Sequence, residues 1–336
     1  MENRVSFSNL DSRAPATTVS VAMCTCQGGR YVREQLQSIA AQDRPPDELV
    51  ICDDRSSDET IAAIRQFAES APFPVHLEVN AERLGCSANF GRAISRCGGA
   101  WIFLADQDDV WMPHKIGRVL EVVARNLEVG LVFSDAVMVD ARRQPLGYRL
   151  WESLCLSPRE RRQLAAGRAI DVLLRRNVIS GLAMAFRRQY RELILPVPAG
   201  WVHDGWIALL IAAVARCAAV GEPLVEYRQH PAQLIGGLKR SLYQQYLRGK
   251  EKGPGDYQLV ADNYRAARER LNSFRGRLLD PGLLAALDEK VRHFQTRAGV
   301  RAGREGRLPA VLGEFLHGRY GRYSSGWKSL AQDLLL

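Results

Sequence analysis

The chain has 336 residues, 46% of them hydrophobic and 25% charged, which allows one large or two ordinary domains with a substantial core. Its longest apolar stretch, near Trp206–Val214, has the length of a core helix, and the polar start Met1–Thr18 has no apolar segment. Composition therefore argues against a membrane-spanning helix and a secretory signal, and for a cytoplasmic protein. Seven cysteines, mostly in apolar contexts, fit reduced thiols, and Cys24-x-Cys26 has no second Cys/His pair at zinc spacing. The net charge of +9 is unevenly placed: up to Leu238 there are 27 Lys+Arg against 27 Asp+Glu, whereas Lys239–Leu336 holds 19 against 10. Such a basic extension can meet nucleic acid, anionic lipid or acidic substrates.

After a flexible leader over 1–18, Val19–Cys24 reads as a short buried strand, Thr25–Gly29 as a turn and Tyr31–Gln42 as a helix. Glu48–Cys52 is a second strand ending on Asp53-Asp54. Ser56–Thr60 looks like a capped helix start, the helix running to about Ser70. Val75–Val79 gives a third strand, Ser87–Arg96 a third helix and Trp101–Ala105 a fourth strand. Strands and helices alternating at this spacing predict an α/β fold, a doubly wound, mostly parallel sheet flanked by helices, whose ligands gather at the carboxyl ends of the strands. Three of those ends carry polar groups: Thr25–Gln27, Asp53-Asp54, and Asp106, Asp108 and Asp109. Carboxylates collected where a buried strand emerges repel one another unless a cation compensates. Their alternation suits Mg²⁺ or Mn²⁺ shared with a substrate diphosphate, while the simpler reading is an acidic turn in which Asp109 caps a helix carrying Pro113. The turn after the first strand has neither the dinucleotide-binding nor the P-loop glycine pattern.

Leu131–Asp135 predicts a further strand, continued by Ala136–Val139, and Asp140–Gly147 a polar loop. Leu150–Arg176 reads as helical. Ile179–Phe186 is strand-like, with Gly181 either allowing a close substrate approach or marking a bulge. His203-Asp204 opens a helix that is apolar nearly all round, so Asp204 is a helix cap or a charged group at the mouth of a buried element. Val220–Tyr227 returns as a strand. Beyond Gly237 the texture becomes arginine-rich and helical, over about Lys239–Lys250, Asp256–Leu278, Pro281–Arg297 and Pro309–Leu336, with a hinge loop at Lys250–Gly255.

These residues resemble the family 2 glycosyltransferases of the GT-A fold over about Val19–Gly237. Cys52-Asp-Asp-Arg-Ser-Ser-Asp58 looks like the family's V-D-D-x-S-x-D segment. Asn80 with Leu84-Gly85 and Asn89 resembles its N-x-x-x-L-G-x-x-x-N stretch, and Asp106-Gln-Asp108 its D-x-D motif. His203-Asp204 resembles the catalytic E-D or H-D, and Tyr227-Arg-Gln-His230 the closing Y-R-x-H. The tail ending Tyr320-Gly-Arg-Tyr323 is similar to bacterial rhamnosyltransferase-type members. Cys26-Gln27 departs from the family's Tyr-Asn, and Gln233 stands where asparagine is usual.

The resemblance implies a catalytic domain over 19–237 and a basic helical extension over 238–336. It implies an inverting, metal-dependent transfer from a nucleoside diphosphate sugar of the dTDP or UDP type, such as dTDP-rhamnose, to a hydroxyl of a saccharide or lipid-linked saccharide in bacterial surface polysaccharide synthesis. Donor binding would fall to Thr25, Gln27, Asp53, Asp54, Asn80, Gly85, Asn89, Asp106 and Arg228, with Asp53 or Asp54 meeting the base. Asp106, Asp108 and His230 would hold Mg²⁺ or Mn²⁺, Asp204 would be the general base, and Gly181, Trp201 and Trp206 would border the acceptor. A sugar-phosphate nucleotidyltransferase is the nearest enzymatic rival, but Thr25–Gly29 lacks the basic, glycine-rich turn that it needs. A nucleic-acid-binding module is the rival of another class, but no aromatic stacking platform accompanies the basic tail, so no nucleic acid is expected. The tail from Arg304 to Trp327 mixes basic residues with Phe315, Tyr320, Tyr323 and Trp327, which fits an anionic membrane surface at the inner face of the cell membrane.

Overall fold

The structure, a computed structural model, describes residues 17–231, 233, 251–303 and 306–335. Most of the leader and the predicted helix Lys239–Lys250 lie outside the described residues. The first half runs β1 (Val19–Thr25), α1 (Val32–Ala40), β2 (Glu48–Asp53), α2 (Thr60–Ala68), β3 (Val75–Val79), α3 (Cys86–Arg96), β4 (Trp101–Asp106), β5 (Val110–Trp111), α4 (Lys115–Arg125) and β6 (Val129–Val139). It continues through β7 (Pro145–Arg149), α5 (Leu150–Ser153), α6 (Pro158–Ala165), α7 (Ala169–Leu173), β8 (Met184–Arg187), α8 (Arg191–Ile194), α9 (His203–Val214) and β9 (Arg216–Arg228). The C-terminal helices are α10 (Pro254–Asn272), α11 (Leu283–Arg301), α12 (Arg307–Leu316), α13 (Arg319–Tyr323) and α14 (Trp327–Leu335).

Among the described residues the strands form one nine-stranded sheet in the order β3-β2-β1-β4-β8-β6-β9-β5, with β7 on β6. β1, β2 and the apolar part of β4 are buried along their length, as expected of parallel strands covered on both faces, which is why they read as unbroken apolar runs. Register places Thr25 opposite Asp53, and Cys24 opposite both Cys52 and Asp106, so three polar strand ends share one edge. The strand order reverses direction at β1 and β4, the place where an open α/β sheet leaves a ligand crevice.

Several expectations change in detail. β7 occupies part of the predicted loop Asp140–Gly147, because Asp140 accepts hydrogen bonds from the Arg142 and Gln144 amides at 2.8 Å and closes a hairpin against β6. The stretch 150–176 is three short helices, one started by a capping box at Ser157. The strand predicted from Ile179 begins only at Met184, after a 3-10 turn over Gly181–Ala183. Asp109 caps no helix: it is fully buried, and α4 starts later, at Lys115. The single helix expected over 309–336 is broken where Gly318 and Gly326 take positive φ, 67° and 62°. In the extension, Ala261, Tyr264 and Ala267 of α10 and Leu287 of α11 belong to the same hydrophobic cluster as the sheet, while Val300, Val311 and Tyr320 form a smaller cluster of their own.

Candidate active site

At the shared edge, two carboxylates that looked free for a ligand are committed to the scaffold. Asp53 is fully buried and accepts from Thr25 Oγ1 at 2.6 Å and from the Ser56 amide and hydroxyl at 2.7 Å each. Asp54 accepts from Asn80 Nδ2 at 2.9 Å and from the Leu84 and Gly85 amides at 2.7 and 2.9 Å. Each carboxylate thus accepts three bonds from the scaffold and holds the turns at this edge. Asn80 donates to Asn89 Oδ1 at 2.8 Å, and Asn89 to the Cys52 carbonyl at 2.8 Å. This polar lattice fixes the loop in which Gly85, at φ 80°, begins α3. Gln27, with φ 52°, accepts from the Ser57 amide at 2.6 Å, which laces the β1 turn to the β2 turn.

The acidic loop after β4 is tied in both directions. Gln107, passed over in sequence as the middle of Asp106-Gln-Asp108, accepts from the Cys26 amide at 2.8 Å and donates to its carbonyl at 3.0 Å. Gly28 leaves the room this pairing occupies, since a Cβ there would push the Gln107 side chain aside. From the far end of β9, Arg228 Nε donates to the Asp108 carbonyl at 2.7 Å and Nη1 to the Ala141 carbonyl at 3.0 Å, while Nη2 pairs with Glu34 at 2.9 Å. Arg228 is therefore a buried clamp, with three of its N–H groups engaged by main-chain carbonyls and the Glu34 carboxylate. His230 Nε2 lies 2.8 Å from Asp108 Oδ2, its ring against Tyr31.

These carboxylates crowd one another. Burial, then the charges of Asp108 and Asp204, push the Asp106 carboxyl up to about 7, and burial with Asp108 and Asp106 raises that of Asp109 well above the ordinary range. Asp109 Oδ2 has no hydrogen-bond partner. The buried Lys115 ammonium is aimed at the Leu182 carbonyl, 2.7 Å away, and the Trp111 ring, rather than at a carboxylate. No three His, Cys, Asp or Glu side chains among the described residues form a complete metal cage. An oxygen-rich, negatively strained pair such as Asp106 and Asp108 fits a hard divalent cation that completes its shell with substrate oxygens.

Across the crevice, Asp204 stands in the first turn of α9 and accepts from Asn177 Nδ2 at 3.0 Å, the Gly181 amide at 3.4 Å and the Gly205 amide at 2.5 Å. Burial outweighs these bonds and raises its carboxyl to about 6. It opens into a cavity of about 370 Å³ walled also by Asn177, Tyr227, Trp201 and Asn263. Cys86 at the start of α3 lies within electrostatic reach of Asp54, Asp106, Asp108 and Asp204, and its Sγ is 3.9 Å from Nδ1 of His203, the neighbour of Asp204.

Of the residues expected at the acceptor, only Trp201 lines this cavity. Trp206 is 1% exposed and donates from Nε1 to the Ile194 carbonyl at 2.7 Å, so it is a core anchor. Gly181 is small for a different neighbour: a Cβ there would collide with the buried ring of His203, which stacks on Phe90. Asn177 was missed because nothing in its local sequence marks it; chain folding over 27 positions brings it to Asp204.

A mixed sheet, parallel from β3 to β4 and antiparallel where β8 joins β4 and β6, thus carries a carboxylate-rich edge, and a cavity walled by Asp204 lies beside it. The model of the glycosyl transferase family 2 matches residues 20–188, half of the chain. The chain belongs to that family. It is 28% identical over 222 residues to an uncharacterized glycosyltransferase of Nostoc sp., a match covering 64% of this chain and 65% of that protein. The chain thus spans slightly less than two thirds of that relative's own length. It is 26% identical over 108 residues to the Escherichia coli UDP-Glc:alpha-D-GlcNAc-diphosphoundecaprenol beta-1,3-glucosyltransferase WfgD, covering 32% of this chain and 42% of WfgD. Among solved structures, the mannosyltransferase PcManGT from Pyrobaculum calidifontis, in complex with GDP-Man and Mn²⁺, superposes with a TM-score of 0.52 at 19% identity over 95% of this chain and 84% of that one. That likeness supports the GT-A fold. Membership of the family argues against the nucleotidyltransferase reading.

Proposed function

We propose that the protein transfers a sugar, with inversion, from a nucleoside diphosphate donor held at the Thr25–Asp108 edge to a hydroxyl of a saccharide or lipid-linked saccharide in the Asp204 cavity. The observation that carries this reading is the Asp204 carboxyl, raised to about 6 at the cavity wall and within electrostatic reach of Asp106. The acceptor hydroxyl gives its proton to Asp204 as its oxygen bonds the anomeric carbon, and the bond from that carbon to the diphosphate breaks on the opposite face. Asp106 and Asp108, with His230 orienting Asp108, would hold Mg²⁺ or Mn²⁺. When bound, the ion supplies charge stabilisation for the leaving diphosphate. The tail's likeness to rhamnosyltransferase-type members makes dTDP-rhamnose the first donor to test, beside the UDP and GDP sugars named for WfgD and PcManGT. A screen of nucleotide sugars with MnCl₂ is expected to show release of nucleoside diphosphate from one donor class. Release of pyrophosphate instead, or of nothing from any donor, would refute the reading.

The extension is proposed to rest on the inner face of the cell membrane, though not as its sequence first indicated. Tyr320 and Tyr323 are buried, bonded to Asp333 and Glu289, and Arg297, Arg319 and Arg322 are paired with acidic neighbours. What remains outward is a helical stripe of Leu308, Leu312, Phe315 and Leu316 on α12, together with Trp327. Cosedimentation with phosphatidylglycerol vesicles at low salt is expected to show weak binding, much less with phosphatidylcholine, and loss of binding in Leu312→Glu/Phe315→Glu. Equal binding by that variant would remove the stripe from the membrane role.

A further inference from the structure

The Asp204 cavity is not built by the catalytic segment alone. Its wall includes Asn263, in the middle of α10, beyond the point where the family resemblance ends. Asn263 Nδ2 donates to the Gly200 carbonyl at 2.8 Å, and its main-chain carbonyl accepts from Trp201 Nε1 at 2.9 Å. Residue 200 is pressed so closely on Asn263 that a Cβ there would meet its Oδ1. The Trp201 ring lies edge-on to Tyr264 of the same helix at 5.1 Å. On its other side this segment is bolted to α3, where Ser87 Oγ donates to the Trp201 carbonyl at 2.8 Å and accepts from the His203 amide at 3.1 Å. Helix α10 cannot swing away cheaply, because Ala261, Tyr264, Ala267 and Leu271 anchor it in the main core.

We infer that α10 is a wall of the acceptor subsite, and that Asn263 is a positioning residue that sets Trp201 as the platform for the acceptor ring. The inference rests on the transfer reading above and adds the ligand class and the element that selects it. A cavity of about 370 Å³ is at the small end of ligand pockets, about 300–1,000 Å³, and admits the terminal unit of an acceptor rather than a long chain. Its lining is divided: Trp201, Leu150, Leu154 and Tyr227 offer apolar or aromatic surface, whereas Asn177, Asn263 and Asp204 offer polar atoms. A pyranose has the same division, with C–H groups on a face and hydroxyls round its edge. Laid on Trp201, such a ring turns an edge hydroxyl toward Asp204.

The test uses the full chain and needs no knowledge of the natural acceptor. Saturation-transfer NMR with methyl α- and β-glycopyranosides, in the presence of UDP and MgCl₂, should show saturable binding to the unaltered protein. Asn263→Ala should weaken that binding at least about tenfold while leaving the affinity for UDP unchanged. Trp201→Phe, which keeps a ring but removes the indole N–H bonded to the Asn263 carbonyl and part of the ring surface packed on Tyr264, should fall between the two, and this comparison decides the matter if Asn263→Ala proves less stable. Equal glycoside affinity in all three proteins, or no glycoside binding by the unaltered one, would overturn the inference. Glycoside binding without release of nucleoside diphosphate from any donor would instead leave the subsite standing and refute the transfer reading.

Discussion

Asp204→Asn is expected to lower turnover about 10²–10⁴-fold while the affinity for the nucleotide stays as it was. Asparagine keeps the size of the side chain and cannot take a proton, and the nucleotide edge is built from other elements. The pH dependence carries a second signature. A base with its carboxyl at about 6 is active only when deprotonated, so the rate should rise through that pH and level off above it. The stability effect has the opposite sense. Because the folded state raises this carboxyl above its unfolded value, the folded chain binds more protons between the two values, and its stability falls as pH rises through about 6. Removing the charge should therefore leave the melting temperature at pH 8 equal or higher. A variant that keeps its turnover but melts early would mean that Asp204 only caps α9.

The other large effect is expected from Asp108→Ala: loss of transfer by more than about 10²-fold, and loss of any tightening of UDP binding by Mn²⁺. The fold should survive, because the bond from Arg228 reaches the main-chain carbonyl of residue 108 and not its side chain. Thermal denaturation checks the fold and calorimetry with UDP, with and without MnCl₂, checks the site. Full activity of the unaltered protein in excess chelator would take the divalent ion out of the mechanism.

How much of this was legible before the coordinates depended on the range of the interaction. Strands β1 to β4 were readable because burial on both faces writes itself as an apolar run, and the alternation with helices then forces their carboxyl ends onto one edge. What escaped was decided by partners far off in the chain. Nothing near Asp54 says that Asn80, Leu84 and Gly85, some thirty positions on, will all donate to it. Trp201 and Trp206 are five residues apart and alike on paper, yet one faces a cavity and the other is sealed under Ile194. A charge count likewise does not distinguish arginines in water from those paired with Asp333, Glu314 or Glu289.

The clamp at the end of β9 bears on how the protein is made. Arg228 binds the backbone of Asp108 across 120 positions and donates its own amide to Asp109, and His230 meets the Asp108 carboxylate from the same segment. A chain still being synthesised, or cut short before residue 228, would carry every acidic residue of the donor edge and none of these restraints. The acidic loop of such a fragment would keep the bonds from Gln107 and Gln35 but lack its second anchor. The last restraint on that loop thus arrives late in synthesis, with the closing strand that brings Arg228 and His230.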